Sequence, residues 1–443
     1  MARDGLSEAS RPYHALRSRD FRRFAGGMLV SLVGSHMQNA AIDWHVWTLT
    51  RSPLLLGMVG LVRVVPIVAF SLLGGIVADR FDRRRILLGT QSVMLLSASV
   101  LALLTLASRE TIGAIYVLTA AGAGASAFDS PARHSFVPRL VPIRDLPGAL
   151  TVMLTAFQFA SIGGPAVAGL LLSRGGGGAG APPTAGLAGI YGLNAVSFLA
   201  VIGALLSMPK SVGAAAAADV PEPPLAALRQ GLRFVFGSPL IVWTMVLDFF
   251  ATFFSGSMSL LPIFADRVLG VGPVGYGWLR AAPGLGAAVA SAAVALRGLP
   301  RRQGAVFLWA VAAYGTATAA FGLSRRFAFT LGALMLVGLA DTISTVIRQT
   351  VRALATPDAL RGRMTSVNML FFQGGPQLGE LEAGLVASLF ASAALGATVA
   401  VVSGGVLTVA AAAFVAWRAP FLLTYDVAAA AGGAAAGDLP PPR

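Results

Sequence analysis

No cysteine occurs anywhere in the 443 residues, which excludes disulfides, thiolate metal sites and a cysteine nucleophile together. Charge is also scarce: 12% of residues are charged, against about 25% in soluble domains. The four histidines, His14, His36, His45 and His134, match no metal-ligand spacing. A phosphate-cradling Walker loop is missing, so the chain is not expected to hydrolyse ATP by itself. No nucleophile–base pair or ligand cluster stands out, so neither an enzyme nor a bound cofactor is expected. The formal net charge of +14 would suggest nucleic acid in a soluble protein. Here the arginines fall between apolar runs and read as topology signals, with no nucleic-acid partner.

The chain is instead rich in apolar residues, at 56%, with a mean hydropathy of +0.75. A membrane span needs about 20 apolar residues. Candidate spans fall near 23–48, 53–78, 86–107, 112–132, 147–172, 186–208, 240–264, 274–296, 304–324, 327–348, 364–390 and 395–417. The expected fold is all-α and polytopic, twelve transmembrane helices in two sets of six. Residues 1–22 form an N-terminal tail, 23–208 and 240–418 the two bundles, 209–239 a linker and 419–443 a low-complexity tail. The first apolar run reads as an uncleaved span. With the N-terminus inside, 25 of the 33 Lys and Arg lie in inner segments, which places both termini in the cytoplasm. Trp44 and Trp47, near the outer end of span 1, suit an interfacial aromatic belt. In the linker, Leu225, Leu228, Leu232, Val235 and Phe236 recur at helical spacing opposite Arg229 and Arg233, the pattern of a helix lying on the inner leaflet.

The two halves repeat. At an offset of 217, Arg63, Pro66, Arg80, Arg84 and Arg85 fall on Arg280, Pro283, Arg297, Arg301 and Arg302. At an offset of 215, Arg133, Pro142, Phe157, Gln158, Gly164 and Gly169 fall on Arg348, Pro357, Phe372, Gln373, Gly379 and Gly384. Apolar letters coincide by chance in such chains, but arginine, proline and glutamine in register do not. Internal duplication of this kind characterises secondary transporters, which hold substrate between repeats near the midplane.

Gly75-x-Val77-Ala78-Asp79-Arg80-x-Asp82-Arg83-Arg84 resembles the signature between helices 2 and 3 of the major facilitator superfamily, with Asp82 where glycine is usual. Ala127–Arg133, Leu261–Ala265 and Arg361-Gly362-Arg363 resemble the bacterial branch that contains enterobactin exporters and macrolide-efflux-like proteins. Ala160-x-x-x-Gly164-Pro165-x-x-Ala168-Gly169 is similar to the helix-5 motif of antiporters; the helix-4 arginine of drug antiporters is absent, its place near Leu118 being apolar. The resemblance implies efflux of an amphipathic small molecule, such as a siderophore or antibiotic, by alternating access across the bacterial inner membrane. Its partners would be that substrate, membrane lipids and, as the candidate coupling ion, protons, with the chain acting as a monomer. Import, lipid flipping and a non-transporting sensor or scaffold role are the alternatives.

Ionisable groups inside a span cost about 2.5–3.5 kcal/mol each on insertion scales, so each needs a reason. Span 1 sets His36, Asn39 and Asp43 on one helical face; span 7 does the same with Asp248, Thr252, Ser255 and Ser259; span 10 carries Asp341, Ser344, Thr345 and Arg348. The resemblance implies that spans 1, 4, 7 and 10 line the cavity, where Asp43, Asp248 or Asp341 would take up a proton. Helix–helix hydrogen bonding is the alternative for each. Arg63 lies about 15 Å into span 2, close to the mid-bilayer, and has two candidate acids, Asp43 on span 1 and Glu380 on span 11. Gln373, Gln377 and Glu380 share a face of span 11. Arg280 has no obvious acid, and Gln158 is its nearest candidate. Phe249, Phe250, Phe253, Phe254, Phe371 and Phe372 suit an apolar substrate wall or a lipid face.

Gly75, Asp79, Arg80, Arg83 and Arg84 form a candidate gating motif with Arg133, Arg361 and Arg363. Asp79 aligns with Leu296 in the second repeat, so only the first repeat has an acid to hold these arginines. Asp79→Asn should leave membrane insertion intact and slow transport; normal export by that variant would reduce the turn to a topology signal.

Overall fold

The computed structural model describes residues 12–174, 184–209, 224–298, 301–357 and 360–426; the side chains at 12–13, 71–76, 78–80, 224–228, 361–363, 365–366 and 369–370 fall outside that description. The Ala/Pro-rich piece Gly213–Pro224, but for Pro224 itself, and the tail beyond Asp426 therefore lie outside it too. Twelve long helices appear among the described residues. They are α1 Arg19–Thr50, α2 Pro53–Arg80, α3 Arg83–Leu106, α4 Ile112–Phe136, α5 Leu146–Arg174, α6 Thr184–Leu206, α7 Pro239–Phe254, α8 Gly272–Arg297, α9 Gln303–Leu323, α10 Phe327–Ala355, α11 Arg361–Ser388 and α12 Ala393–Arg418. Ten are long and apolar enough to cross a membrane. The exceptions are α1 and α11, the helices on which His36, Asn39 and Asp43, and Gln373, Gln377, Glu380 and Glu382, lower the hydropathy.

Helices suit this setting because they satisfy backbone polar groups internally where no water can. Their starts are marked by short polar side chains that accept the first free N–H groups. Ser52 accepts from Leu55 with Pro53 at the first position, Thr111 accepts from Ala114, and Ser392 from Leu395. Asp82 starts α3 in the same way, accepting from the amides of Arg84 and Arg85. The acid that stands where the motif usually has glycine is thus a helix cap.

The described contacts divide the chain into two compact units. One comprises Met1–Pro221 with Leu261–Ala281, the other Glu222–Leu260 with Ala282–Arg443. The end of the seventh span and the start of α8 are therefore grouped with the first repeat. In the first unit, Phe21 and Phe24 of α1 pack with Leu87 of α3, Phe136 of α4 and Val201 and Leu205 of α6. In the second, Leu247 and Ala251 of α7 pack with Phe307 and Val311 of α9, Ile347 of α10 and Ala412 and Val415 of α12.

Three expectations are corrected here. Span 7 is no continuous helix over 240–264: α7 stops at Phe254, and a 3-10 turn (Ser257–Leu260), a single α turn (Leu261–Ile263) and a π turn (Phe264–Val268) follow. Ser255 and Ser259 accordingly do not continue the face of Asp248 and Thr252. At the break Gly256 lies against the Gly379 backbone, an approach that only glycine allows, and the Ser255 hydroxyl bonds Thr408 of α12. The linker helix forms (Pro224–Gly237), but Val235 is buried against Ile241 and Met245 of α7 and Met364 and Val367 of α11, so that residue faces protein rather than lipid. Trp44 and Trp47 are 5% and 1% exposed, packed inside the first unit and not at an interface.

Glycine sets how near the helices come. A Cβ on Gly338 of α10 would collide with the Pro283 carbonyl of α8, whereas one on Gly332 of the same helix would meet nothing within 4 Å. Overpacking of this kind costs about 1–3 kcal/mol. Gly338→Ala should lower the thermal stability of the purified protein and Gly332→Ala should not, as read from unfolding in detergent.

Candidate functional site

Among the described residues, each unit carries a buried centre where acid and arginine from different helices meet. In the first, Asp43 of α1 is fully buried; one carboxylate oxygen lies 3.2 Å from Nη2 of Arg63 (α2) and the other 3.0 Å from Nη2 of Arg280 (α8). Of the two acids open to Arg63, the structure shows the ion pair with Asp43. Arg280, for which only Gln158 was in view, proves to share that same acid. Two positive charges and one negative charge meet where water is excluded, and attraction in such surroundings is several-fold stronger than in water.

The residues around this centre come from three helices. Half-buried His36, two turns before Asp43, meets Phe157 of α5 edge-on at 5.3 Å. Asn39 is exposed, so it does not share the burial of Asp43. Tyr276 of α8 donates to the Ala40 carbonyl and packs its ring 5.1 Å from Trp44. The antiporter-like motif explains how α5 fits in. A Cβ on Gly164 would come within 2.7 Å of His36 Cβ, one on Gly169 within 2.9 Å of Gly277 Cα, and one on Gly277 within 2.6 Å of the Pro165 carbonyl oxygen. Gly164, Pro165 and Gly169 are all buried, so the motif works here as a packing surface for α1 and the start of α8.

The second centre inverts the ratio. Arg348 of α10, 2% exposed, is paired with Asp248 of α7 and lies 3.8 Å from Asp341 two turns back; its Nη2 also donates to the Thr345 hydroxyl. Thr252 donates to the carbonyl of Asp248, and its hydroxyl occupies the space beside Gly375 of α11. On α11, Gln373 and Gln377 are half-buried and Glu380 is 6% exposed. Rings of Phe249, Phe250, Phe253, Phe254 and Phe371 pack on one another at 5.3–5.9 Å, and Phe372 is 44% exposed.

The gating motif is described only in part. Gly75, Asp79, Arg80, Arg361 and Arg363 have side chains outside the described residues. Arg83 is 7% exposed at the start of α3. Arg84 reaches the last carbonyls of α6, donating to Leu205 and Leu206, and so caps that helix with a positive charge. Arg133 lies 3.6 Å from Asp129 on its own helix. Asp129 also accepts from Thr90 and Gln91 of α3, a buried network tying α3 to α4. Sequence reasoning passed over Asp129 as a site residue; its spacing of four from Arg133 was the available signal. It also missed Asp266, which accepts from the Trp47 indole and pairs with Arg51 and Arg267. A further omission is the buried set of His45, Tyr191 and Glu110.

A family described as "Transmembrane secretion effector" matches residues 10–430. The enterobactin exporter EntS of Shigella boydii serotype 4 is 26% identical over 350 residues, which cover 78% of this chain and 80% of that protein. EntS of Escherichia coli O139:H28 is 25% identical over the same shares. Solved structures alike in fold include a bacterial homologue of the human lysosomal transporter Spinster, with a TM-score of 0.71, 14% identity and coverage of 94% of this chain and 99% of that one. A D-xylose–proton symporter aligns with a TM-score of 0.67, 15% identity and coverage of 88% and 96%.

The two centres should respond differently to loss of an acid. Asp43→Asn removes the carboxylate from two ion pairs at once, and breaking a buried pair costs about 3–5 kcal/mol. Asp248→Asn leaves Arg348 with Asp341. Thermal unfolding should therefore shift further for Asp43→Asn than for Asp248→Asn.

Proposed function

The chain belongs to the transmembrane secretion effector family of the major facilitator superfamily, and we propose that this secondary transporter exports an amphipathic small molecule, such as a siderophore or antibiotic, in exchange for protons. Both termini are placed in the cytoplasm on this reading, from the distribution of arginine. The 26% identity to a protein named as an enterobactin exporter supports the substrate class.

The observation that carries the coupling is Asp43 between Arg63 and Arg280. Two arginines on different helices share one acid. Protonating that acid removes the charge that holds both, which weakens two interhelical ties at once and frees guanidinium donors for an acidic or phenolic group of the substrate. Asp43 can thus be ionised and paired, or protonated with its arginines released, and the two conditions exclude each other. In the second unit, protonating Asp248 or Asp341 leaves the other acid on Arg348. Loss of the Asp43 charge therefore undoes more pairing than loss of either acid on Arg348, and on this reading Asp43 couples the proton to movement while the second centre stays fixed. Alternating access then consists of moving one repeat against the other around these centres.

Enterobactin accumulation in inverted membrane vesicles is the test, with and without a pH gradient acid inside. Accumulation that rises with the gradient in wild-type vesicles and loses that response in Asp43→Asn is the expected result. Gradient-independent accumulation removes proton exchange; accumulation only in right-side-out vesicles makes the protein an importer.

A further inference from the structure

Asp43 lies deep within its unit, yet the proposed exchange needs a proton to reach it. Two residues further along α1, His45 joins a line of titratable side chains that leads toward the end of the bundle where α3 turns into α4. Tyr191 of α6 and His45 of α1 are both fully buried, and the Tyr191 hydroxyl is 3.0 Å from Nδ1 of His45. On the other side of the imidazole, Nε2 is 3.8 Å from a carboxylate oxygen of Glu110, in the segment that joins α3 to α4. The Glu110 side chain is 7% exposed. His45 Nε2 and the second oxygen of Glu110 are buried without a hydrogen bond among the described residues. Unsatisfied buried groups are uncommon and ask for a reason. Two on adjoining groups, both able to carry protons, share a single explanation.

We propose that Glu110, His45 and Tyr191 form the route by which protons reach Asp43 from the outer side of the membrane. This rests on the reading of the protein as a proton-coupled exporter with both termini inside. Each proton would pass as follows. The Glu110 carboxylic acid gives its proton to Nε2 of His45. The imidazolium gives up its Nδ1 proton to the Tyr191 oxygen as the phenolic proton leaves toward the Asp43 carboxylate. The imidazole then holds its proton on Nε2, and a turn of the ring with exchange of that proton to Nδ1 restores the starting form while the proton on Asp43 stays. The Glu110–His45 distance exceeds a hydrogen bond by less than about 1 Å, a gap that a turn of the carboxyl closes. From the phenol to Asp43 a side-chain rotation or a bridging water is needed.

Histidine suits the middle of such a line because it can take a proton on one nitrogen and release one from the other. Facing the line from its neighbours are Tyr276 on α8 and, beyond Asp43, Arg63 and Arg280. Arg109 and Arg174 stand exposed at the same end of the bundle.

The test needs no substrate. Right-side-out membrane vesicles holding the full chain are given dicyclohexylcarbodiimide, which attacks protonated carboxyls in apolar surroundings, and the Asp43 adduct is followed by mass spectrometry. The lumen is held at fixed pH while the outer medium is acidified. Asp43 labelling in the wild type should rise with outer acidity, and His45→Gln and Tyr191→Phe should each slow that rise at least about tenfold. Tyr116→Phe removes a half-buried phenol that donates to the Leu55 carbonyl off this line, and should match the wild type. Labelling at the wild-type rate in both line variants, labelling that follows the lumen pH, or none at Asp43 would overturn the route. Gradient-driven enterobactin export alongside any of those results would leave the exporter reading standing, and a route confirmed without such export would leave only the substrate in question.

Discussion

A charge inside hydrocarbon must have a counter-charge within reach, and the arrangement of this protein follows from that constraint. An unpaired buried carboxylate or guanidinium costs several kcal/mol, so each such residue selects the helix that can answer it. Asp43 binds α1 to α2 and to the first turns of α8. Arg348 binds α10 to α7, Asp129 binds α4 to α3, and Arg84 closes the end of α6. Apolar contact alone could not choose among these helices, because lipid tails are as good a partner for leucine as another leucine is.

Charges choose partners, but glycines decide whether the partners can meet. Gly164 admits α1 to within contact of the α5 backbone, Gly169 and Gly277 face each other, and Gly338 receives the Pro283 carbonyl. The same logic shapes the seventh span. Where Gly256 meets Gly379, the helix gives way to 3-10 and π turns, and the segment beyond Leu260 is grouped with the first unit instead of the second. The contact units and the sequence repeats therefore differ, because residue-to-residue packing respects broken backbone and not gene duplication.

The repeats also diverge in chemistry. Arg133 and Arg348 correspond in the duplication, yet one is answered by Asp129 on its own helix and the other by Asp248 from a different one. Among the described ion pairs, one centre sets two arginines on Asp43, and the other sets two acids on Arg348. In the proposed exchange, this asymmetry is what would let one centre release its arginines while the other holds.

Number and order of the helices, their apolar character and the duplication were legible from residues alone, since hydropathy and in-register arginines are local properties that need no partner. The candidate acids and arginines were legible for the same reason: an ionisable residue in an apolar run is conspicuous. Which acid answers which arginine was not. Arg280 and Asp43 are far apart in the chain and meet only because Gly169 and Gly277 bring α5 and α8 together. His45, Tyr191 and Glu110 look unremarkable in three separate segments and form a line only after α1 and α6 pack. Composition determined that this chain resides in a membrane and which residues burden it there; only the tertiary structure, by setting backbone distances through glycine and broken helix, decided how those burdens are paired.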